Sequence, residues 1–436
     1  MLVKIQLYEL YHPSLKESRL RRKVMDFSLP YTAEQEKFRT EVREWLEGNI
    51  PAEMRNPVDM RDFSKEQYLF WREKHRELAQ KGWLYPTFPK EYGGGGLTGD
   101  HETIIEEEFH RAGALRGLTN GVVYPALFVW ATEEQKQKFL VPLVTGEKIA
   151  WQKFTEPHSG ADLADYQSKA VQDGDDWILN GSSVYVSGRP RPEWNVPGPD
   201  YLFGPMLTDP DAPRHRNLGF FMIPNPTEGL DIQEQELLNG HDQHAIFLDN
   251  VRVSNDHLIG GDHQGWQVAN SSLEVEHGGG GKAFPADEVI ENLIDYSKEN
   301  KNDEGFIGDD PVLQQVAMTA ILDSHVDGLM ARRTYWMYQN KMGIQYEGNM
   351  ANVHNRESQL RNVARIRDVY GPNSLLGTQE PRAPHGGAQE VEQREKAGQR
   401  HAGGSTNIAK VILSRRIGIS RTQERAAPTP SNTGKA

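Results

Sequence analysis

Residues 151–188 read WQKFTEPHSGADLADYQSKAVQDGDDWILNGSSVYVSG, and this stretch decides the fold of the chain. Three further segments follow it in order: GFFMIPNPTEGLDI at 219–232, FLDNVRVSNDHLIG at 247–260 and GWQVANSSLEVEH at 265–277. Short apolar runs such as DWILNG and YLFGPML are bounded here by Gly, Pro, Asn and Asp, which are strand and turn signals. Several short strands at this spacing predict a compact β-domain over residues 149–265.

The chain on the N-terminal side of this stretch has a helical pattern. Thr32 and Gln35 fit a capping box, which marks the start of a helix. The apolar residues that follow share one helical face, and they are Phe38, Val42, Trp45 and Leu46. Further helices are predicted at 101–113 and around 133–140. We therefore assign residues 25–148 to an N-terminal helical domain and expect 1–24 to be a disordered extension.

Helical spacing returns after Trp266. The segments ADEVIENLIDYSKE at 286–299 and PVLQQVAMTAILDSHVDGLMARRTYWMYQNKMG at 311–343 carry apolar residues at intervals near 3.6. A last helical stretch covers 408–419, whereas 377–400 reads as a loop. We predict a C-terminal helical bundle over residues 266–421 and a disordered tail over 422–436. The fold class is therefore α+β, with a β-domain between two helical domains.

Composition excludes several classes of site and partner. The 436 residues carry a formal net charge of -13 and no block rich in Lys and Arg, so we expect no nucleic-acid partner. The chain has no cysteine, which excludes disulfides and zinc-thiolate sites. No apolar run is long enough for a membrane span. The first 24 residues lack the apolar core of a secretory signal, and we expect a cytoplasmic protein.

The quoted segments resemble, in their order, the acyl-CoA dehydrogenase family. Three more support the resemblance: GWLYPTFPKEYGGGGLT at 82–98, TEEQKQKFLVPLVTGEKIAWQKFTEP at 132–157 and HAGGSTNIAKVILSRR at 401–416. The resemblance covers roughly residues 31–421. It implies FAD between the β-domain and the C-terminal helices, an acyl-CoA substrate and a 2-enoyl-CoA product. It further implies electron-transfer flavoprotein as acceptor, and a homotetramer or dimer.

The resemblance assigns the flavin contacts residue by residue. Thr155 matches the threonine that hydrogen-bonds the flavin pyrimidine edge, and the backbone at Phe154 and Thr155 is expected to lie in a strand beside the ring. Ser187 matches the Ser or Thr that hydrogen-bonds flavin N5, and Tyr185 replaces a usual Trp, which keeps an aromatic ring there. Ser405 matches a threonine that contacts the flavin or its adenosine.

The catalytic base is assigned to Glu276. Many family members carry this glutamate in YEG near the C-terminus, where this chain has Gly403. Other members carry it in a helical L-x-x-ER segment, and Glu276 in LEVEH matches that glutamate, with His277 in place of the arginine. Glu274 is the competitor, and it lies about 200° away on a helix. The Gly278–Gly281 run suggests a helix break that widens the acyl pocket for a bulky or branched group.

Several departures from the family leave other functions open. Ala161 stands where a serine is usual, Ser183 where a lysine is common and Asn407 where a glutamate is usual, while an RxxFG segment is not visible. These changes also fit a non-catalytic partner subunit of a heteromeric acyl-CoA dehydrogenase. A flavin-dependent monooxygenase on the same fold is the other alternative, although the retained Glu276 argues against it. The run at 241–244, HDQH, is interpreted as a surface loop, and no metal site is expected.

Overall fold

The computed structural model describes residues 31–118, 122–240, 242–276, 287–303, 305–340, 342–398 and 405–420. Helices precede and follow one large sheet, so the predicted α+β fold class is confirmed. The predicted extension at 1–24 and the tail at 422–436 lie outside the described residues. In the described part of the chain, no helix has the length and apolarity needed to cross a membrane.

The N-terminal part is helical, as predicted. Its helices are α1 (Ala33–Asn49), α2 (Lys65–Gln80), α3 (Gly99–Arg111), α4 (Val123–Trp130) and α5, which runs through Glu133–Gln135, a π-helical turn at Lys136–Leu140 and Val141–Val144. The predicted capping box is present, because Thr32 accepts from the Gln35 backbone and the Gln35 side chain accepts from the Thr32 backbone. Val42 and Leu46 lie on the buried face of α1.

The middle part is a sheet of eight strands. They are β1 (Ala150–Gln152), β2 (Lys169–Asp173), β3 (Asp176–Ser187), β4 (Tyr201–Leu207), β5 (Leu218–Pro224), β6 (Leu230–Gln235), β7 (Gln243–Ser254) and β8 (Leu258–Ile259). Their spatial order is β6-β7-β3-β2-β4-β5-β8, and β1 pairs in parallel with β4. The β3–β7 pairing is long and antiparallel, and it brings residues more than 50 positions apart in sequence into register.

The C-terminal part is helical again. Its helices are α6 (Gly265–Glu276), α7 (Glu288–Glu299), α8 (Pro311–Gln339), α9 (Glu347–Tyr370), α10 (Ala388–Gly398) and α11 (Thr406–Arg416), and the small strands β9 (Lys301–Asn302) and β10 (Gly305–Phe306) pair after α7. The prediction of a loop over 377–400 was wrong, since α10 lies inside it. This helix has few apolar residues, and i,i+4 ion pairs such as Arg394–Glu390 at 2.6 Å support it instead.

An ion pair and a hydrogen bond connect the three parts beside the sheet. Arg394 of α10 contacts Asp59 of the N-terminal part at 2.6 Å. Arg191, in the segment after β3, donates to the backbone carbonyl of Arg61 at 3.0 Å. Asp59 also accepts from Arg61, and these bonds lower the pKa of Asp59 to about 2 although its burial acts in the opposite direction. One cluster of charged groups therefore links all three parts of the fold.

Candidate active site

The end of β3 carries a β-bulge that presents two of the predicted flavin contacts. The register of β3 against β7 shifts between Ser183 and Val186, and Tyr185 has a left-handed φ of 57°. Because the bulge adds a residue, Val186 occupies the buried position and Tyr185 and Ser187 both lie on the exposed side. The Tyr185 side chain is 56% exposed, an unusual position for a large aromatic residue in a strand.

Two glutamines, one in β6 and one in β7, form hydrogen bonds with the exposed side of the bulge. The Tyr185 backbone N–H donates to Oε1 of Gln235 in β6 at 3.1 Å. The Ser187 hydroxyl accepts from Nε2 of Gln243, its direct partner in β7, at 2.7 Å. These bonds satisfy a backbone donor that the irregular strand leaves without a ladder partner, and they fix the bulge against β6 and β7.

The buried side of the bulge rests on an aromatic stack. His244 in β7 donates from Nδ1 to the Val186 carbonyl at 3.2 Å, and its ring stacks on Trp151 with centroids 4.6 Å apart. The Gly188 N–H donates to the Asp242 carbonyl at 3.2 Å. Burial lowers the pKa of His244, which keeps the ring neutral with its proton on Nδ1.

Asp242 and His244 show that one sequence interpretation was wrong. The run at 241–244 was read as a surface loop, but Asp242 and His244 are buried and β7 begins at Gln243. Arg189 and Arg191 contact Asp242 at 2.5 and 2.7 Å, so the carboxylate is engaged in ion pairs. Within the described ranges, no group of His, Asp or Glu side chains has an arrangement that holds a metal ion.

Thr155 lies beside the bulge. Strand β1 ends at Gln152, so the prediction that Phe154 and Thr155 belong to a strand was wrong by a few residues. The Thr155 carbonyl nevertheless accepts from the Val184 N–H at 2.9 Å, which brings this segment next to Tyr185. The Phe154 side chain is buried and packs edge-on against Phe203, so only its backbone is available toward the bulge.

Lys153 is a buried cation that the sequence reasoning did not single out. Its side chain is fully buried beneath this segment, and Nζ donates to the Met206 thioether sulfur at 3.2 Å. Burial lowers the pKa of Lys153 to about 8, against the smaller opposing effect of Glu156. The Glu156 carboxylate accepts from the backbone N–H groups of Gln167 and Ser168 at 2.7 and 2.9 Å. The available signal was a lysine beside the apolar and aromatic residues of the run AWQKF.

Helix α6 carries the proposed base and is anchored at its start. Gly265 lies so close to Gly219 of β5 that a Cβ would come within 2.5 Å of the Gly219 carbonyl carbon. The Trp266 ring stacks on His215 with centroids 4.5 Å apart. In the next turn, Ser271 accepts from Nε1 of Trp130 in α4 at 3.0 Å. The helix is therefore fixed against both the sheet and the N-terminal part.

The helical register distinguishes the two candidate glutamates. Glu276 is the last residue of α6, and its side chain and that of Glu274 lie outside the described part. Position 276 follows Ser272 by four residues and Ala269 by seven, and both of these are fully buried. Position 274 follows the half-buried Asn270 instead. On the helix, position 276 is thus in line with Ser272 and Ala269, whereas position 274 is in line with Asn270.

Ser405 lies in the C-terminal part of the chain. It is the N-cap of α11, and its hydroxyl accepts from the Ile408 N–H at 3.2 Å. Gly403 and the Gly278–Gly281 run lie outside the described residues. Ser183, at the position where a lysine is common, is buried, and its hydroxyl has no hydrogen-bond partner within the described part of the chain.

Comparison with known proteins finds matches to both helical parts of the chain. The model of the acyl-CoA dehydrogenase N-terminal domain matches residues 32–147, and that of the C-terminal domain matches residues 263–418. The acyl-CoA dehydrogenase FadE26 of Mycobacterium tuberculosis is 29% identical over 252 residues, which are 57% of this chain and 61% of FadE26. The alignment thus spans about three fifths of the length of that relative.

Two solved structures have the same fold. The Tcur3481–Tcur3483 steroid ACAD gives a TM-score of 0.76 at 23% identity, covering 92% of this chain and 100% of that chain. The ChsE4–ChsE5 complex from Mycobacterium tuberculosis gives a TM-score of 0.74 at 22% identity, and the match covers 91% of this chain and 100% of that chain. At these identities the likeness establishes the shared architecture of helices, sheet and helices.

Proposed function

Because the chain belongs to the acyl-CoA dehydrogenase family, we propose that it is an FAD-dependent enzyme that converts an acyl-CoA thioester to the 2-enoyl-CoA. The observation that carries the proposal is the β3 bulge, which presents Tyr185 and Ser187 together on an exposed surface beside Thr155. An aromatic ring that is more than half exposed and is held in a left-handed backbone conformation offers a surface to a planar ligand.

The residues at the bulge fit a flavin. Tyr185 offers a planar face for the ring system. The Ser187 hydroxyl accepts from Gln243, which leaves its own hydrogen for a ring acceptor, and Oε1 of Gln243 is buried without a partner in the described chain. We propose that Thr155, Tyr185 and Ser187 hold the flavin, with the Phe154 backbone beside them and Ser405 as a further contact. FAD then supplies the acceptor for the β-hydride.

Glu276 performs the proton transfer in this proposal. Removal of a weakly acidic α-proton requires a carboxylate within hydrogen-bond reach of the acyl group. The helical position of Glu276, one turn after the buried Ser272, supports this role. The anchoring of α6 by Gly265 and Trp130 gives the base a fixed backbone, which general base catalysis requires.

The substrate is proposed to be an acyl-CoA with a bulky or branched acyl group. The Gly278–Gly281 run after Glu276 is the sequence basis for a wide pocket. A structural neighbour described as a steroid ACAD supports a ring-bearing acyl group. Electron-transfer flavoprotein is the proposed electron acceptor.

A self-associating chain, as a homodimer or homotetramer, is part of the same proposal. Helix α8 exposes a stripe of apolar side chains, named here the α8 stripe, which consists of Val312, Met318, Leu322, Val326 and Leu329. If a related but different subunit binds the α8 stripe instead of a second copy of this chain, the assembly is heteromeric. The ChsE4–ChsE5 complex and the substitutions at Ala161 and Asn407 favour that second candidate, in which this chain is a non-catalytic subunit.

The visible spectrum of the purified protein tests the proposal. We expect a flavin spectrum that bleaches on anaerobic addition of one member of a panel of straight, branched and ring-bearing acyl-CoA thioesters. Bleaching without an external reductase excludes the monooxygenase alternative. Bound flavin that no acyl-CoA bleaches contradicts the dehydrogenase proposal. Absence of flavin, restored when a related subunit is co-expressed, supports the non-catalytic subunit instead.

A further inference from the structure

We propose that Gln243 is a positioning residue that directs the hydrogen of the Ser187 hydroxyl toward the flavin. The inference rests on the proposed function, because it assigns a partner to the outward side of Ser187. It concerns the direction of the hydrogen bond between Gln243 and Ser187, which are direct partners in the β3–β7 pairing.

The contact between the two side chains has a defined direction. Nε2 of Gln243 lies 2.7 Å from Oγ of Ser187, and an amide NH₂ group only donates. The hydroxyl oxygen is therefore the acceptor, and its own hydrogen takes no part in this bond. An acceptor on the exposed side of the bulge can receive that hydrogen.

The amide is held where it is by the strands around it. Gln243 is the direct cross-strand partner of Ser187 in β3 and of Gln235 in β6. The preceding residue, Asp242, is fixed by Arg189 and Arg191 at 2.5 and 2.7 Å. Movement of the start of β7 away from Ser187 would therefore break two ion pairs of the buried Asp242, which favours the observed position of the donor.

The direction of this hydrogen bond has a consequence for binding. Oxidised flavin offers an unprotonated ring nitrogen, which accepts a hydrogen bond from a hydroxyl that points outward. Glutamate at position 243 has nearly the same shape, but its carboxylate only accepts, so it would take the Ser187 hydrogen for itself. The hydroxyl would then present a lone pair to the ring nitrogen, and the bond would be lost.

The test compares dissociation constants for oxidised FAD, measured by fluorescence titration of the full-length apoprotein after removal of any bound flavin. The variants are Gln243→Glu, Ser187→Ala and the double variant. Gln235→Glu is the matched control, because it adds the same charge one strand away and keeps the acceptor for the Tyr185 N–H. Circular dichroism and thermal unfolding show whether each variant is folded.

We expect Gln243→Glu to weaken FAD binding about tenfold relative to Gln235→Glu, the loss of one hydrogen bond. In the Ser187→Ala background, Gln243→Glu should raise the dissociation constant for FAD by no larger a factor than Gln235→Glu does alone. The inference is overturned if Gln243→Glu and Gln235→Glu weaken FAD binding equally. It is also overturned if Gln243→Glu weakens FAD binding as much in the Ser187→Ala variant as in the wild type. Wild-type protein that binds no FAD contradicts the proposed function, and this inference with it.

Discussion

Gly188 lies directly on the indole ring of Trp151, so close that a Cβ on Gly188 would come within 2.1 Å of Cε2 of the ring. Trp151 is buried and stacks on His244, so it has no free space into which to move. The glycine is required by this close approach. Since Gly188 directly follows Ser187, the same contact sets the distance between the Trp151 ring and the backbone at the end of the bulge.

The first prediction is that Gly188→Ala destabilises the fold and the flavin site together. The added methyl group must displace Trp151 or lift the bulge, and overpacking of this kind costs about 1–3 kcal/mol. Chemical unfolding and an FAD titration measure the two effects. Gly48→Ala in α1 is the control, because no atom lies within 4 Å of its Cβ position. Unchanged stability of Gly188→Ala would contradict the close contact.

The second prediction concerns the base. Glu276→Gln removes the carboxylate and keeps the size of the side chain, so we expect acyl-CoA turnover to fall by roughly 10²–10⁴-fold while FAD remains bound. Glu274→Gln is the matched control, two residues earlier in α6, and it should retain most activity. Rapid-mixing measurement of flavin reduction separates this step from product release. A larger loss of turnover in Glu274→Gln than in Glu276→Gln would assign the role of the base to Glu274.

The third prediction is a pH dependence of stability caused by Lys153. Burial lowers its pKa from 10.5 to about 8 in the folded protein, so the unfolded chain binds more protons between these values. Stability should therefore rise as the pH increases from about 8 to 10.5, and below 8 the full cost of the buried cation remains. Lys153→Met removes this dependence and should stabilise the protein near neutral pH by on the order of 3 kcal/mol.

Urea unfolding across this pH range measures the difference between the two proteins. Lys169→Met is the control, because Lys169 is exposed on the neighbouring strand β2. If the free energy of unfolding depends on pH in the same way in the wild type and in Lys153→Met, the Lys153 amine is not held in an apolar environment.

The general plan of the fold was predictable because its signals are local. The capping box at Thr32 and Gln35 lies within four residues, and the strand and turn signals between 149 and 265 lie within short windows. Helix α10 was missed for a physical reason. Its stability comes from ion pairs such as Arg394–Glu390 and from packing of Val391, and its sequence has little apolar periodicity.

The site was only partly predictable, because its geometry depends on register between distant strands. Tyr185, Ser187 and Thr155 were predicted one by one from the resemblance, but the bulge that brings them together needs the pairing of β3 with β7. For the same reason Gln243 was passed over within a run read as a loop. Its role is visible only when its direct partner across the sheet is known to be Ser187.

The fourth prediction concerns the α8 stripe. Met318, Leu322, Val326 and Leu329 fall within an arc of about 80° on the helix, a continuous apolar face. The other side of α8 is engaged with α9, through contacts such as Asp323–Arg365 at 2.6 Å. A face of this kind is buried against a second copy of the chain in the proposed assembly.

Leu322→Glu should therefore convert the assembly to monomers of 49.4 kDa, because a charge would be buried in an apolar contact. Light scattering after size-exclusion chromatography measures the mass. Val171→Glu is the control, since Val171 is a single exposed apolar residue on β2. Wild-type protein that is already monomeric at micromolar concentration contradicts self-association. If the wild type gains mass only with a co-expressed relative, the stripe binds a related subunit instead.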